Sequence, residues 1–160
     1  MKSVLALFAS FIMGTSSLAA ESRWNLTRLT YEGFPLLLRY PVDLNYDKLQ
    51  SLFPTFVVVT IPYSEYTDNG LPENNFNRTI LEPLDELIFK TLGGPKNGYC
   101  VLVETFYKNR HYYLYVAPSF DVELLKKTLQ SSDVNLAIEV EKSHDPSWSF
   151  IRRYAKESFK

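Results

Sequence analysis

The chain has 160 residues, of which 15% are aromatic, and a formal net charge of −1. This size and aromatic content are typical of one packed domain and not of a disordered chain. A charge so close to zero argues against a nucleic-acid-binding protein, because such proteins use an excess of Lys and Arg to contact phosphates. Cys100 is the only cysteine, so no internal disulfide can form.

The first segment has the composition of a signal peptide. Lys2 supplies a positive charge, residues 4–13 are apolar, and small residues follow them. This apolar run is far shorter than the ~20 residues that span a bilayer. We therefore expect residues 1–19 to be a signal peptide that is removed by cleavage after Ala19, with cleavage after Ala20 as the alternative. Residues 20–160 would then form a single exported domain without a stable membrane anchor.

The exported domain begins with a predicted β-hairpin. Residues 24–31 alternate between apolar and polar side chains, as a half-buried strand does, and residues 35–40 form the returning strand. A short helix is predicted over residues 48–52, before Pro54. The apolar run over residues 56–63 is predicted to be the next strand.

A long amphipathic helix is predicted after Pro72. Its apolar residues recur at close to the 3.6-residue period of a helix that packs on a core through one face. Pro83 interrupts this pattern, so either the helix bends there or a second helix starts with Pro83 in its first turn. The acidic residues of this segment are interpreted as its solvent-exposed face; they are Glu82, Asp85 and Glu86.

The second half of the chain predicts the remaining elements of one fold. Strands are expected over residues 99–107 and 111–117, a helix over residues 121–129 and a last strand over residues 134–140. Asp145 is expected to cap a short C-terminal helix. The predicted fold is therefore α+β: a ferredoxin-like β-α-β-β-α-β core with an added N-terminal β-hairpin and a short C-terminal helix. Such a fold hosts many unrelated activities, so it does not predict the function.

Short motifs along the chain occur in the order and spacing of a known family. The motifs are Gly33-x-Pro35, Arg39, the Tyr63 region, Gly70-Leu71-Pro72, Glu82 with Asp85, Thr105, Arg110 with Tyr113 and Tyr115, and Asp145-x-x-Trp148. Through these motifs the chain resembles the domain-of-unknown-function 695 family over most of residues 24–154. The resemblance implies a bacterial α+β domain and, with the signal peptide, a periplasmic or secreted location; it implies no reaction.

Few residues of the chain point to catalysis or to a cofactor. His111 and His144 do not have the spacing of metal ligands, so no metal site is expected. Cys100 lies among apolar residues of a predicted inner strand and is interpreted as a buried apolar side chain. No motif for a nucleophile or for phosphate binding occurs. We expect no cofactor and no bound nucleic acid.

One arrangement of residues favours a binding surface. Tyr113 and Tyr115 alternate with apolar residues, so both should face away from the predicted helices, and Arg110 lies at the end of their strand. Aromatic rings beside an arginine are typical of surfaces that hold a peptide or an anion. The alternative is that the N-terminal hairpin or the tail around Trp148 covers this face and makes the tyrosines part of the core. General packing favours this alternative, because exposed sheets of this size are normally covered.

The sequence thus favours a non-enzymatic binding domain for a periplasmic protein, a peptide or an anionic small molecule. The candidate contact residues are Arg39, Arg110, Tyr113, Tyr115 and Trp148. The alternative is a small hydrolase-type enzyme that uses Arg39, Arg110 and one acid. A groove holding acids of shifted pKa beside Arg39 would favour the enzyme, and a flat aromatic face would favour the binding domain. If Arg110 is a surface contact, Arg110→Ala should weaken binding without changing thermal stability.

Overall fold

The computed structural model describes residues 23–158 of the chain, so the expected signal peptide, residues 1–19, lies outside the described residues. Within residues 23–158, six strands form one sheet in which all neighbours are antiparallel. The strands are β1 (Trp24–Tyr31), β2 (Phe34–Pro41), β3 (Thr55–Pro62), β4 (Gly98–Phe106), β5 (Asn109–Val116) and β6 (Glu139–His144). Their spatial order is β1-β2-β4-β5-β3-β6.

Helices pack on both faces of this sheet, so the domain is α+β. Among the described residues, none of the helices combines the length and the apolar composition needed to cross a bilayer. The helical elements are α1 (Tyr46–Leu49), α2 (Asn74–Phe76), a π-helical turn (Asn77–Leu81), α3 (Glu82–Leu92), α4 (Val122–Gln130) and α5 (Ser149–Ser158).

Pro83 explains the π-helical turn. The prediction that a second helix starts with Pro83 in its first turn is confirmed, because α3 begins at Glu82. The preceding turn is wide: the N–H of Glu82 donates to the carbonyl of Asn77, five residues earlier. Proline has no N–H for the usual bond to the fourth residue before it. The wide turn thus joins α2 to α3, with helical backbone angles at Leu81 and Glu82 just before Pro83.

The last strand differs from its predicted position. Residues 134–138 have no regular secondary structure, and β6 runs instead over Glu139–His144. The apolar alternation at 134–138 arises because Val134, Leu136 and Ile138 pack against the core below α4. The polar residues that follow form the strand because their backbone pairs with β3 at the edge of the sheet. Strand propensity is weak enough for such pairing to override it.

Two apolar clusters lie on opposite faces of the sheet. On the first face, α3 and α4 pack on β3, β4 and β5, and the buried residues include Val57, Val59, Leu84, Ile88 and Leu125. On the second face, α5 packs on β2, β4 and β5, and the buried residues include Leu38, Leu102, Tyr115, Trp148 and Ile151.

The tail around Trp148 covers the face of the sheet that carries the tyrosines. The indole of Trp148 is stacked on Tyr115, with ring centroids 4.2 Å apart. Its Nε1 donates a hydrogen bond of 2.9 Å to the carbonyl of Phe53. Phe150 stacks on Tyr113 in the same way, with centroids 4.7 Å apart. The structure therefore agrees with the alternative in which the tail covers the tyrosines and makes them part of the core.

Asp145 caps the N-terminus of α5, as predicted. Its Oδ1 accepts from the backbone N–H of Ser149 at 2.9 Å, and its Oδ2 accepts from that of Phe150 at 3.0 Å. The Tyr115 hydroxyl also donates to Oδ2, at 2.7 Å. Burial raises the pKa of Asp145, but these hydrogen bonds outweigh it and lower the pKa to about 2. The same carboxylate thus caps the helix and attaches it to the sheet.

Candidate ligand-binding cleft

The structure divides the five candidate contact residues between the two faces of the sheet. Tyr115 and Trp148 are fully buried beneath α5, and Tyr113 is half-buried there. These three residues are core contacts between the sheet and α5, so they do not form an open aromatic surface. Arg39 and Arg110 lie on the other face, where both bind the carboxylate of Asp85.

Strand alternation and helix periodicity bring these charged side chains together. In β2, Leu38 and Tyr40 pack in the cluster below α5, so Arg39 between them points to the face that carries α3. In β5, Arg110 shares its face with Tyr112, which packs in the cluster below α3. Asp85 lies three residues before the buried Ile88 and therefore points from α3 towards the sheet.

Asp85 accepts hydrogen bonds through both carboxylate oxygens. Oδ2 accepts from Nη2 of Arg39 at 2.6 Å. Oδ1 accepts from Nη1 of Arg110 at 3.2 Å and also forms a short hydrogen bond with the hydroxyl of Tyr112. The carboxylate on α3 therefore binds one arginine from β2 and an arginine and a tyrosine from β5.

Arg110 is held by every nitrogen of its guanidinium. Besides its bond to Asp85, Nε donates to Oγ1 of Thr105 at 3.1 Å, and Nη2 donates to Oδ1 of Asn77 at 2.7 Å. Burial lowers the pKa of Arg110 from its ordinary value, and the charge of Asp85 opposes this effect. The Nδ2 of Asn77 donates onward to Oε1 of Glu82 at 2.9 Å. Asn77 is the first residue of the π-helical turn and Glu82 directly follows the turn, and such turns are frequent at functional sites.

This network contains the buried polar residues of the described chain. Among residues 23–158, three polar or charged residues are buried: Asp85 at 8%, Thr105 at 4% and Arg110 at 7% exposure. Buried ion pairs lose solvation energy and often stabilise a fold no more than apolar residues of the same size would. Their concentration in one place, beside a cleft, is typical of a functional site.

The cleft lies between the β1–β2 hairpin and the start of α3, and its volume is about 310 Å³. This is at the small end of the range for small-molecule sites. The side chain of Arg39 is 39% exposed there, whereas that of Arg110 is 8% exposed. Within residues 23–158, Nε and Nη1 of Arg39 have no hydrogen-bond partner. The lining residues are Leu26, Leu37, Arg39, Leu71, Pro72, Asn74, Asn77, Glu82, Asp85, Thr105 and Arg110.

A second depression meets the cleft at Arg39. It has a volume of about 300 Å³ and is lined by Trp24, Arg39 and Phe89. The two aromatic rings contact each other edge to face, with centroids 5.8 Å apart. Arg39 therefore lies between a polar cleft and a small aromatic surface.

The remaining reactive residue types are outside the cleft. Burial raises the pKa of the Cys100 thiol to about 12, so the nucleophilic thiolate is scarce at neutral pH. The ring of His111 is half-buried, with Nδ1 3.0 Å from Oγ1 of Thr60. Among residues 23–158, no three His, Cys, Asp or Glu side chains are placed to hold a metal ion.

The role of Asp85 was not predicted from the sequence, in which this residue is interpreted as part of an exposed acidic face. That interpretation is wrong, because Asp85 is buried. The signal was its position: Asp85 is four residues after Leu81 and three before Ile88, both fully buried, and so belongs to the inward stripe. The sequence contains no comparable signal for Asn77, because the contact of its amide with Arg110 depends on the π-helical turn.

The comparisons with known proteins concern the whole domain. No curated protein and no solved structure matches this chain. Residues 22–154 match the model of a family described as a family of unknown function, DUF695. This match includes all six strands, the cleft and the first part of α5. It covers well over half of the chain, and the protein therefore belongs to the DUF695 family.

Proposed function

We propose that the protein is a non-enzymatic binding domain that holds a carboxylate-bearing small molecule in the cleft. The observation that carries the proposal is the difference between the two arginines. Arg110 is buried and hydrogen-bonded through all three guanidinium nitrogens. Arg39 projects into the cleft and uses one nitrogen for Asp85. Its remaining N–H groups can bind a carboxylate, which arginine recognises through parallel hydrogen bonds.

The hydrolase alternative has less support. It requires an acid beside Arg39 in a groove, and Asp85 occupies that position. However, both oxygens of Asp85 already accept hydrogen bonds from Arg39, Arg110 and Tyr112. A general base must be within hydrogen-bond reach of the proton that it removes. Asp85 is directed towards protein donors and so fits the role of a residue that positions the arginines.

We also propose that the four strands β3 to β6, with α3 and α4, form a ferredoxin-like core. Two observations support this proposal: the spatial order β6-β3-β5-β4, and the packing of α3 and α4 in one cluster on the same face. The β1–β2 hairpin then extends this core at β4 and supplies one wall of the cleft.

Export to the bacterial periplasm is a further part of the proposal, supported by the composition of residues 1–19. The intact mass of the protein from a periplasmic fraction should correspond to a chain that starts at Ala20. A protein that keeps Met1 and stays with the membrane fraction would contradict export.

The binding proposal predicts a specific effect of Arg39→Gln. The purified protein is incubated with the small-molecule fraction of a periplasmic extract, and retained compounds are identified by mass spectrometry. A carboxylate-bearing compound should be enriched on the wild type, and its retention should be at least tenfold lower on Arg39→Gln. The reason is that this variant lacks the guanidinium that pairs with the ligand's carboxylate. The control is Arg28→Gln, which changes an exposed arginine of β1 outside the cleft lining. Equal retention by both variants, or conversion of the retained compound, would contradict the proposal.

A further inference from the structure

We propose that the ligand of the cleft is a small zwitterion, an α-amino acid with an apolar side chain. This inference rests on the proposed function, since it takes Arg39 as the group that binds the ligand's carboxylate. It adds an ionic contact between the ligand's ammonium group and Glu82. It also adds an apolar contact between the ligand's side chain and the hydrophobic wall of the cleft.

The charges of the lining residues favour a zwitterion over a simple anion. The cleft is lined by Arg39, Arg110, Asp85 and Glu82, whose formal charges cancel. A ligand with negative charge alone would be attracted by Arg39, but it would be repelled by the two carboxylates close by. A ligand that carries both signs meets a complementary charge at each end.

The spacing of the charged groups suits a molecule with its two charges on one carbon atom. Glu82 and Asp85 are three residues apart on α3, so their Cβ atoms are separated by roughly 5–6 Å. Arg39 is bound to Asp85 at 2.6 Å. Glu82 therefore lies one helical turn before the residue that Arg39 binds, and both Glu82 and Arg39 line the cleft. An α-amino acid bound between them can contact both.

Glu82 is oriented and accessible. Its side chain is exposed in the cleft, and its Oε1 accepts the hydrogen bond from Nδ2 of Asn77 at 2.9 Å. Within residues 23–158, its Oε2 accepts no hydrogen bond, so it can accept one from an ammonium group. Asn77 is in turn bound to the buried Arg110. Glu82 is thus part of the same hydrogen-bonded network that positions Arg39.

The hydrophobic wall supplies the third contact. Leu37, Leu71 and Pro72 line the cleft together with Leu26, which is 70% exposed on the edge strand β1. An apolar side chain that covers Leu26 removes hydrocarbon surface from water, which is favourable. A longer side chain can extend past Arg39 onto Trp24 and Phe89. Leucine and phenylalanine represent these two cases.

Calorimetric titration with two matched pairs tests the inference. Leucine is compared with 4-methylpentanoate, and phenylalanine with 3-phenylpropanoate; each second compound lacks only the amino group. At least one of the two amino acids should bind, and should do so at least tenfold more tightly than its analogue. Glu82→Gln should reduce the affinity for that amino acid at least fivefold, since the ionic contact with the ammonium group is lost while glutamine still accepts the bond from Asn77. It should not reduce the affinity for the analogue, which is then no longer repelled by the charge of Glu82. The control is Glu86→Gln, the same change on an exposed residue of α3 that does not line the cleft.

Each other outcome overturns the inference in a recognisable way. If the analogues bind as tightly as the amino acids and Arg39→Gln abolishes both, the zwitterion is excluded and the proposed function stands. The same holds if neither amino acid binds but another carboxylate is retained through Arg39. If Arg39→Gln changes no binding at all, the inference and the proposed function both fail. Equal effects of Glu82→Gln and Glu86→Gln would remove Glu82 from the site.

Discussion

Replacing Arg110 with alanine should lower the free energy of unfolding by about 3 kcal/mol. Removing one partner of a buried ion pair typically destabilises a protein by about 3–5 kcal/mol. The lower figure applies here because Arg39 and Tyr112 still bind the carboxylate of Asp85. The variant also leaves Asn77 and Thr105 without the donor that they share. Urea denaturation monitored by circular dichroism measures the change.

This prediction replaces the expectation from the sequence that Arg110→Ala would leave the thermal melt unchanged. The matched control is Arg28→Ala, an exposed arginine, which should change the free energy of unfolding by less than about 0.5 kcal/mol. Arg39→Gln should lie between them, because its ion pair is partly exposed and screened by solvent. A loss of under 1 kcal/mol in Arg110→Ala would mean that the network does not stabilise the fold.

Replacing Trp148 with alanine should lower the free energy of unfolding by about 3–5 kcal/mol. Truncation of a fully buried aromatic residue both loses transfer free energy and leaves a cavity. In this case the indole is 0% exposed, stacks on Tyr115 and donates to the carbonyl of Phe53. The variant would therefore separate α5 from the sheet as well as empty part of the second core. The same urea titration measures the effect.

The other tryptophan of the chain is the natural control for this experiment. Trp24 is 40% exposed on the edge strand, so Trp24→Ala should destabilise the protein by clearly less than Trp148→Ala. Comparable losses in the two variants would contradict the description of α5 as a helix packed on the tyrosine face. In that case Tyr113 and Tyr115 would return as candidates for an exposed surface.

Local patterns predicted the elements whose formation depends on nearby residues. The N-terminal hairpin, the strand pair β4–β5 and the cap at Asp145 are confirmed. Alternation along a strand also placed Tyr113 and Tyr115 on the face opposite to α3. What alternation does not reveal is which element covers a given face. That depends on where a segment more than thirty residues later returns, as Trp148 does.

The candidate site was predicted in part, for the same reason. Arg39 and Arg110 were both named from the sequence, and the structure brings them together at Asp85. Asp85 itself was assigned to solvent because acidic residues on a helix are usually exposed. Its burial depends on two arginines that arrive from β2 and β5, far away along the chain. A carboxylate on an inward stripe of a helix is the local sign that such partners exist.

The position of β3 has a consequence for how the chain reaches this structure. β3 lies between β5 and β6 in the sheet, and both of these strands follow it at a large distance along the sequence. Pairing of distant segments requires the closure of long loops before any contact is formed, which slows folding. A ribosome-bound chain therefore contains an apolar strand without a partner until residue 116 has emerged, and one edge of that strand stays unpaired until residue 144 has emerged. Unpaired strand edges of this kind are prone to aggregation, so chaperone binding to β3 during synthesis would protect the chain until its partners arrive.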